Sequence, residues 1–283
     1  MDNIYKSHVD RLNSIPPLFT RSKIQVQTEG LGQFVIGISK FFTEQIEKIG
    51  HFLNPEVSEF KMKADPFVKD LNKAAKRLNK VVTKDFMAYK DSLIGVTPGL
   101  KVDLLTASSE LYSVLKLLDP IFYTSIQDAN NTITRIMTNK DFATSTRPVV
   151  INKDRDTALK ASYALVDKCI DPNGQVDRMK LSALIPNFLS LQTIVDNINA
   201  SESLSLFQNS IQADKLISTI KTRVDTLLDK ITKNKDTDIS KNALSQLSLE
   251  LEETAKMVTM VSTLLFFKSQ ICATTTNIIK QFV

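Results

Sequence analysis

The amino-acid sequence predicts an all-α protein, a multi-helix bundle with a long C-terminal antiparallel helical hairpin. Three observations carry that expectation. Glycine is scarce and lopsided: six of the seven (Gly30, Gly32, Gly37, Gly50, Gly95, Gly99) precede residue 100, and none follows Gly174. No proline follows Pro186, so residues 187–283 lack both of the residues that punctuate tight turns. Apolar side chains return every three or four residues through most of the chain, the period of a helix with one buried face.

Residues 1–30 are expected to form a loosely ordered arm, with Pro16-Pro17 followed by a short alternating run at Ile24 and Val26. An N-terminal helical domain is expected over 31–140. Its first helix follows Gln33, with apolar positions 34, 38, 41, 42, 46, 49, 52 and 53 on one face, and ends at Asn54-Pro55. A second helix is expected over 65–90, with Asp65 as N-cap and Pro66 in the first turn. Its buried stripe would be Phe67, Leu71, Ala74, Leu78, Val81/Val82 and Phe86. Two more helices, 103–118 and 121–139, should hinge at Asp119-Pro120.

Residues 141–155, rich in Asn, Asp, Ser, Thr and Pro, read as a linker to a C-terminal helical domain over 156–283. Helices are expected at 156–170, 176–184 and 187–199, then two long ones at about 204–233 and 238–282. In the first long helix Leu206, Phe207, Ile211, Leu216, Ile217, Ile220, Val224, Leu227, Leu228 and Ile231 form the apolar stripe. In the second, Ala243, Leu247, Leu251, Thr254, Val258, Val261, Leu265, Lys268 and Cys272 return mostly at seven residues, a coiled-coil pattern. Asp238 or Ser240 would cap it.

Composition bounds the function. With 42% hydrophobic and 24% charged residues the chain has the makings of a globular core. No stretch of 18 uncharged apolar residues occurs, and the N-terminus lacks the basic region and apolar run of a signal peptide. Cys169 and Cys272 lie far apart in apolar contexts and read as buried thiols of a reducing compartment. There are two histidines, His8 and His51, and neither neighbours a serine or cysteine elbow. No phosphate-binding glycine motif or Cys/His metal cluster is present. The loop 169–180 resembles a calcium loop only at Gly174, with Cys169 and Lys180 where acidic ligands belong, so it reads as a turn. Glu250, Glu252 and Glu253 read as solvated charge on an exposed helix face. No catalytic residue, cofactor or metal ligand is nominated, and the expectation is a protein that is not an enzyme.

The one distinctive charge pattern lies between Lys61 and Lys90, where nine basic side chains face three aspartates. Lys69, Lys73, Lys76, Lys80 and Lys84, with Arg77, form a stripe roughly 200° around the helix from the apolar positions. That ridge suits phosphates or an acidic protein, and equally a solvated helix face. The lack of interleaved aromatics argues against base-specific readout.

The stretch "VQTEG" followed by the Phe-rich amphipathic segment 31–53 resembles the N-terminal regions of virion structural proteins of large tailed bacteriophages, internal head or particle-associated. In that family a prohead protease cuts after a glutamate; the resemblance places the processing site at Thr28, Glu29 and Gly30. It implies a virion protein, in the host cytoplasm before assembly, that partners other structural proteins in an oligomer or larger assembly. The lysine ridge would then contact DNA non-specifically. Two other readings stand beside it: a helical membrane-active or pore-forming effector, and a sequence-independent nucleic-acid-binding protein. A membrane partner is not expected from the ridge helix, whose alanines suit helix packing better than lipid.

Overall fold

A computed structural model describes residues 56–78, 86–96, 100–145, 147–170, 178–233 and 239–282. The expected helix over 33–53 and the glutamate cleavage site lie outside these residues.

The chain is all-α with a minimal sheet. Helix α1 spans Glu56–Ala75 and a single turn, α2, spans Phe86–Tyr89. Strand β1 (Leu93–Gly95) follows, then the long α3 (Leu104–Thr138) and the short α4 (Lys140–Ala143). Helix α5 is Lys153–Cys169, strand β2 is Arg178–Lys180, and α6 is Leu181–Leu184. Three further helices, α7 (Ser190–Glu202), α8 (Ser205–Gln208) and α9 (Ser210–Lys233), lead to α10, Lys241–Phe282.

Several expected boundaries move, each for a local reason. Asp65-Pro66 does not start a helix, because Pro66 lies inside α1. Pro66 is exposed, so the hydrogen bond that proline cannot make is lost on the solvated side. The buried face of α1 is Ala64, Val68, Leu71 and Ala74, continued by Leu78, whereas Phe67 stays 43% exposed. The hinge at Asp119-Pro120 is likewise absent. Helix α3 runs through Pro120, where Pro120 and Lys116, whose carbonyl loses its partner, both face solvent. Asp119 instead caps a neighbour: its Oδ1 accepts from the Leu206 N–H at 2.7 Å and the Ser205 hydroxyl at 2.8 Å, fixing the start of α8 against α3. The helix expected over 176–184 is in part strand. Arg178–Lys180 pairs antiparallel with Leu93–Gly95, in the register Ile94 opposite Met179.

Side-chain caps secure the long elements. Asp103 accepts from Thr106 N–H at 2.9 Å, and Asn152 from the N–H groups of Asp154 and Arg155. Ser240 caps α10 by accepting from Ala243 N–H at 3.1 Å, while its hydroxyl donates to Ser145 C=O at 2.6 Å.

Helices α9 and α10 are the two long C-terminal helices the sequence predicts. The expected hairpin packing between them is not their main contact: each packs chiefly on α1 and α3 rather than on the other, and α10 also touches α5, α7 and β1. A single apolar cluster runs from Val68 to Phe282, so the segments on either side of 141–155 contribute to one core. The coiled-coil positions of α10 are buried, but the positions between them are buried too, including Met257, Met260, Leu264, Phe267 and Ile271. A helix covered on all sides needs no polar face. Several of its hydroxyls bond their own backbone, Thr254 to Glu250 C=O at 2.7 Å, Ser262 to Val258 at 3.0 Å, Thr263 to Thr259 at 2.9 Å and Thr275 to Ile271 at 2.7 Å, whereas those of Ser248, Thr259 and Thr276 are buried without a hydrogen-bond partner. In α9 the stripe is Ala213, Ile217, Ile220, Val224, Leu227 and Leu228, and Ile211, expected inside, is 63% exposed.

The far end of α10 is pinned by aromatic rings. Phe282 meets Tyr89 at 4.9 Å and Phe188 at 5.5 Å between ring centroids, and Phe86 stands edge-on to Phe188 at 5.5 Å. Cys169 and Cys272 are both buried free thiols, as the sequence predicts.

Candidate functional site

The structure places part of the basic ridge. Lys69 and Lys73 lie on the exposed face of α1, and Lys76 and Arg77 follow in the turn beyond Ala75, also exposed. The Arg77 N–H bonds to Ala74 C=O at 2.9 Å, which bends the chain there. Lys80 and Lys84 lie outside the described residues, as do Thr28, Glu29 and Gly30. Within the described part the cationic side chains and the buried Leu71, Ala74 and Leu78 point to opposite sides, as their spacing predicts. Asp70 is the one acidic neighbour on α1 with a described ion pair, 3.6 Å from Lys73, and both are more than half exposed. Such a pair contributes little and leaves the ridge strongly positive.

The expected solvated face at Glu250, Glu252 and Glu253 is overturned, since all three are buried, at 8%, 6% and 9% exposure. Helix α10 has no solvated side here, and Glu253 and Glu252 are met instead by Arg155 of α5 and by Lys256 of α10 itself. Arg155, 3% exposed, reaches from α5 to donate to Glu253 Oε2 at 2.9 Å and to Asp128 of α3. Lys256 pairs with Glu252 one turn along α10. Further down, Lys268 pairs with Glu202 of α7 and lies over the Phe207 ring at 4.3 Å, so a fully buried ammonium is both paired and stacked. Sequence reasoning set Lys268 on a heptad seam without a partner; nothing local names Glu202, which is supplied by a different helix.

Around Glu250 the structure opens a cleft of about 270 Å³ between α3, α4, Ser145, the segment 147–150 and the first turns of α10. Thr132, Arg135, Phe142, Arg147, Gln246 and Glu250 contribute to its lining. Gln246 ties the wall together: its Oε1 accepts from Val150 N–H at 2.7 Å, and its Nε2 donates to Val150 C=O at 3.3 Å and to Glu250 Oε1 at 2.7 Å. The Arg135 guanidinium lies over the Phe142 ring at 4.0 Å, and Asn139 fixes that ring by accepting from the Phe142 N–H. Arg135 and Arg147 are exposed at the rim.

Burial is the main influence on the Glu250 carboxyl and pushes its pKa above the ordinary 4.5; Thr132, Gln246 and the Arg155 charge pull the other way. Glu253 is raised by burial too, against the pull of Arg155. Glu250 Oε2 is enclosed and has no hydrogen-bond partner of ordinary geometry. The sequence reading missed this cleft. It saw 141–155 only as polar punctuation, and no local pattern shows that this segment folds back over the start of α10.

The thiols are chemically quiet. Burial raises Cys169 to about 11 and Cys272 to about 12, so neither is a thiolate nucleophile at neutral pH. Among the described residues no group of three His, Cys, Asp or Glu side chains is placed to hold a metal ion. No protein-family model matches the chain, and neither the curated proteins nor the solved structures give a match.

Proposed function

We propose that this chain is a non-enzymatic structural protein that works by assembly, a component of a bacteriophage particle that contacts other structural proteins and turns its basic ridge towards packaged DNA or an acidic neighbour. The observation that carries the reading is the two-sidedness of α1 and the turn after it. Leu71, Ala74 and Leu78 are spent on the core, while Lys69, Lys73, Lys76 and Arg77 stand in solvent. A rigid scaffold that presents a fixed row of cations suits phosphate contact without base readout.

The same ridge supports the second reading, a sequence-independent nucleic-acid-binding protein outside any particle. The membrane-active reading has less support. Helix α10 is long and apolar enough to cross a membrane, but 89% of its most apolar window is buried inside the protein. Insertion would have to strip that packing from α1 and α3.

Size-exclusion chromatography with light scattering, with and without duplex DNA at low and raised salt, separates these readings. Higher-order assembly of the chain alone is expected for the structural protein. DNA binding that fades with salt and is lost in a Lys69→Ala, Lys73→Ala, Lys76→Ala, Arg77→Ala variant is expected if the ridge faces DNA. A monomer with no salt-sensitive binding would overturn the proposal.

A further inference from the structure

We propose that the segment 147–151 is a docking strand for an extended peptide of another protein, apolar in its middle and acidic at its ends, whose main chain bonds the Val149 C=O and the Ile151 N–H. This surface shares no residue with the cationic ridge and stands whatever that ridge meets.

The backbone here is bonded on one side only. Val150 donates its N–H to Gln246 Oε1 at 2.7 Å and its C=O accepts from Gln246 Nε2 at 3.3 Å. A trans peptide points its C=O and N–H in opposite directions. The Val149 C=O and the Ile151 N–H share peptide groups with the two bonded atoms of Val150, so both face away from Gln246. Among the described residues neither has a hydrogen-bond partner. An acceptor and a donor two residues apart on one side are what a strand offers a neighbouring strand. The segment is also fixed at both ends: Ser145 C=O accepts from the Ser240 hydroxyl at 2.6 Å, and Asn152 caps α5. A peptide therefore meets a template that is already ordered.

The side chains determine the chemistry of the partner. Val149, Val150 and Ile151 are 36%, 70% and 59% exposed, three consecutive β-branched residues standing in water on a helical protein. Exposed strand edges are commonly blunted by charge, yet no charged residue lies between Arg147 and Lys153. Pro148 removes neither outward group. Charge then selects the occupant. A second copy pairing antiparallel about Val150 would set Arg147 of each chain against Lys153 of the other, like charges at both ends. A strand with acidic ends instead meets both exposed cations favourably. Asp154 lies in the first turn of α5, where the helix N-terminus offsets its charge.

Amide NMR of the full chain titrated with the peptide EVTVTVE tests the site, with KVTVTVK as the charge-reversed probe. Saturable shifts of the Ile151 amide are expected with EVTVTVE, at an affinity about tenfold or more above that for KVTVTVK. Ile151→Pro removes the outward N–H, which no bond in the fold uses, and should weaken binding about tenfold or more, read at the Asn152 amide. Arg147→Glu with Lys153→Glu, both at exposed positions, should keep the fold and reverse the preference between the peptides. No saturable shift with either peptide, equal binding of the two by wild type, or undiminished binding by Ile151→Pro would overturn the proposal. A concentration-dependent dimer that Ile151→Pro abolishes would overturn it too, by giving the surface to a second copy.

Discussion

Arg155→Met is the substitution that most directly probes how this protein keeps charge inside. Methionine retains much of the aliphatic volume while removing the guanidinium, so the change is chiefly electrostatic. The Arg155 side chain is 3% exposed and that of its partner Glu253 only 12%, whereas the Asp128 side chain is 43% exposed. Removing one member of a buried pair costs about 3–5 kcal/mol because the other charge is left stranded. Solvent can take over Asp128, which puts the expectation near the lower end, about 3 kcal/mol. At roughly 2–4 °C per kcal/mol for a chain of this size, the melting temperature should fall by about 6–12 °C.

The pH dependence gives the sharper test. Glu250 and Glu253 have folded pKa values raised above 4.5, so in the window above 4.5 the folded state binds more protons than the unfolded one. Stability linked to these groups is therefore present below the unfolded value and is lost as pH rises through the folded values. Without Arg155 both carboxyls rise further, and the penalty at neutral pH grows. Urea unfolding of Arg155→Met and wild type should show a deficit that is larger at about pH 7 than at about pH 5. Adding Glu253→Gln should restore part of it. A deficit below about 1 kcal/mol, or one equal at both pH values, would refute the view that this cluster is a buried, charge-coupled network.

Other expectations concern packing and surface. Native protein should leave both thiols unmodified by a neutral-pH alkylating reagent, with both reacting once urea unfolds the chain; mass spectrometry reads this directly, and fast native labelling of Cys272 would contradict its burial. Phe267→Ala, at 1% exposure on α10, should cost about 3–5 kcal/mol in denaturant titration, against about 0.5 kcal/mol or less for Ile211→Ala, which is 63% exposed. Ser240→Ala should lose about 1 kcal/mol by removing the cap of α10 and its tie to Ser145, with far-UV circular dichroism as the check.

The sequence by itself determined the class of the fold and the inner face of most helices. Glycine and proline leave no place to turn within 241–282, and the three-four spacing of Leu71, Ala74 and Leu78 requires a buried side opposite Lys69 and Lys73. Caps such as Ser240 were legible because a serine oxygen needs only an N–H three residues away. Prolines misled, since the effect of Pro66 or Pro120 depends on whether the lost hydrogen bond faces solvent, and that depends on what packs against the helix.

The tertiary structure alone decided the environment of α10. A run of leucines, threonines and glutamates admits either a one-sided coiled-coil strand or an enclosed central helix, and neighbours remote in sequence settle which. Glu253 is internal because Arg155, 98 residues away, reaches it, and Lys268 is internal because Glu202 and Phe207 receive it. The candidate cleft has the same origin: Glu250, Arg135 and Arg147 come together only when the segment after α4 folds across the start of α10. Period and propensity act within a few residues, whereas the desolvation that gives these charges their character depends on contacts that only the folded chain makes.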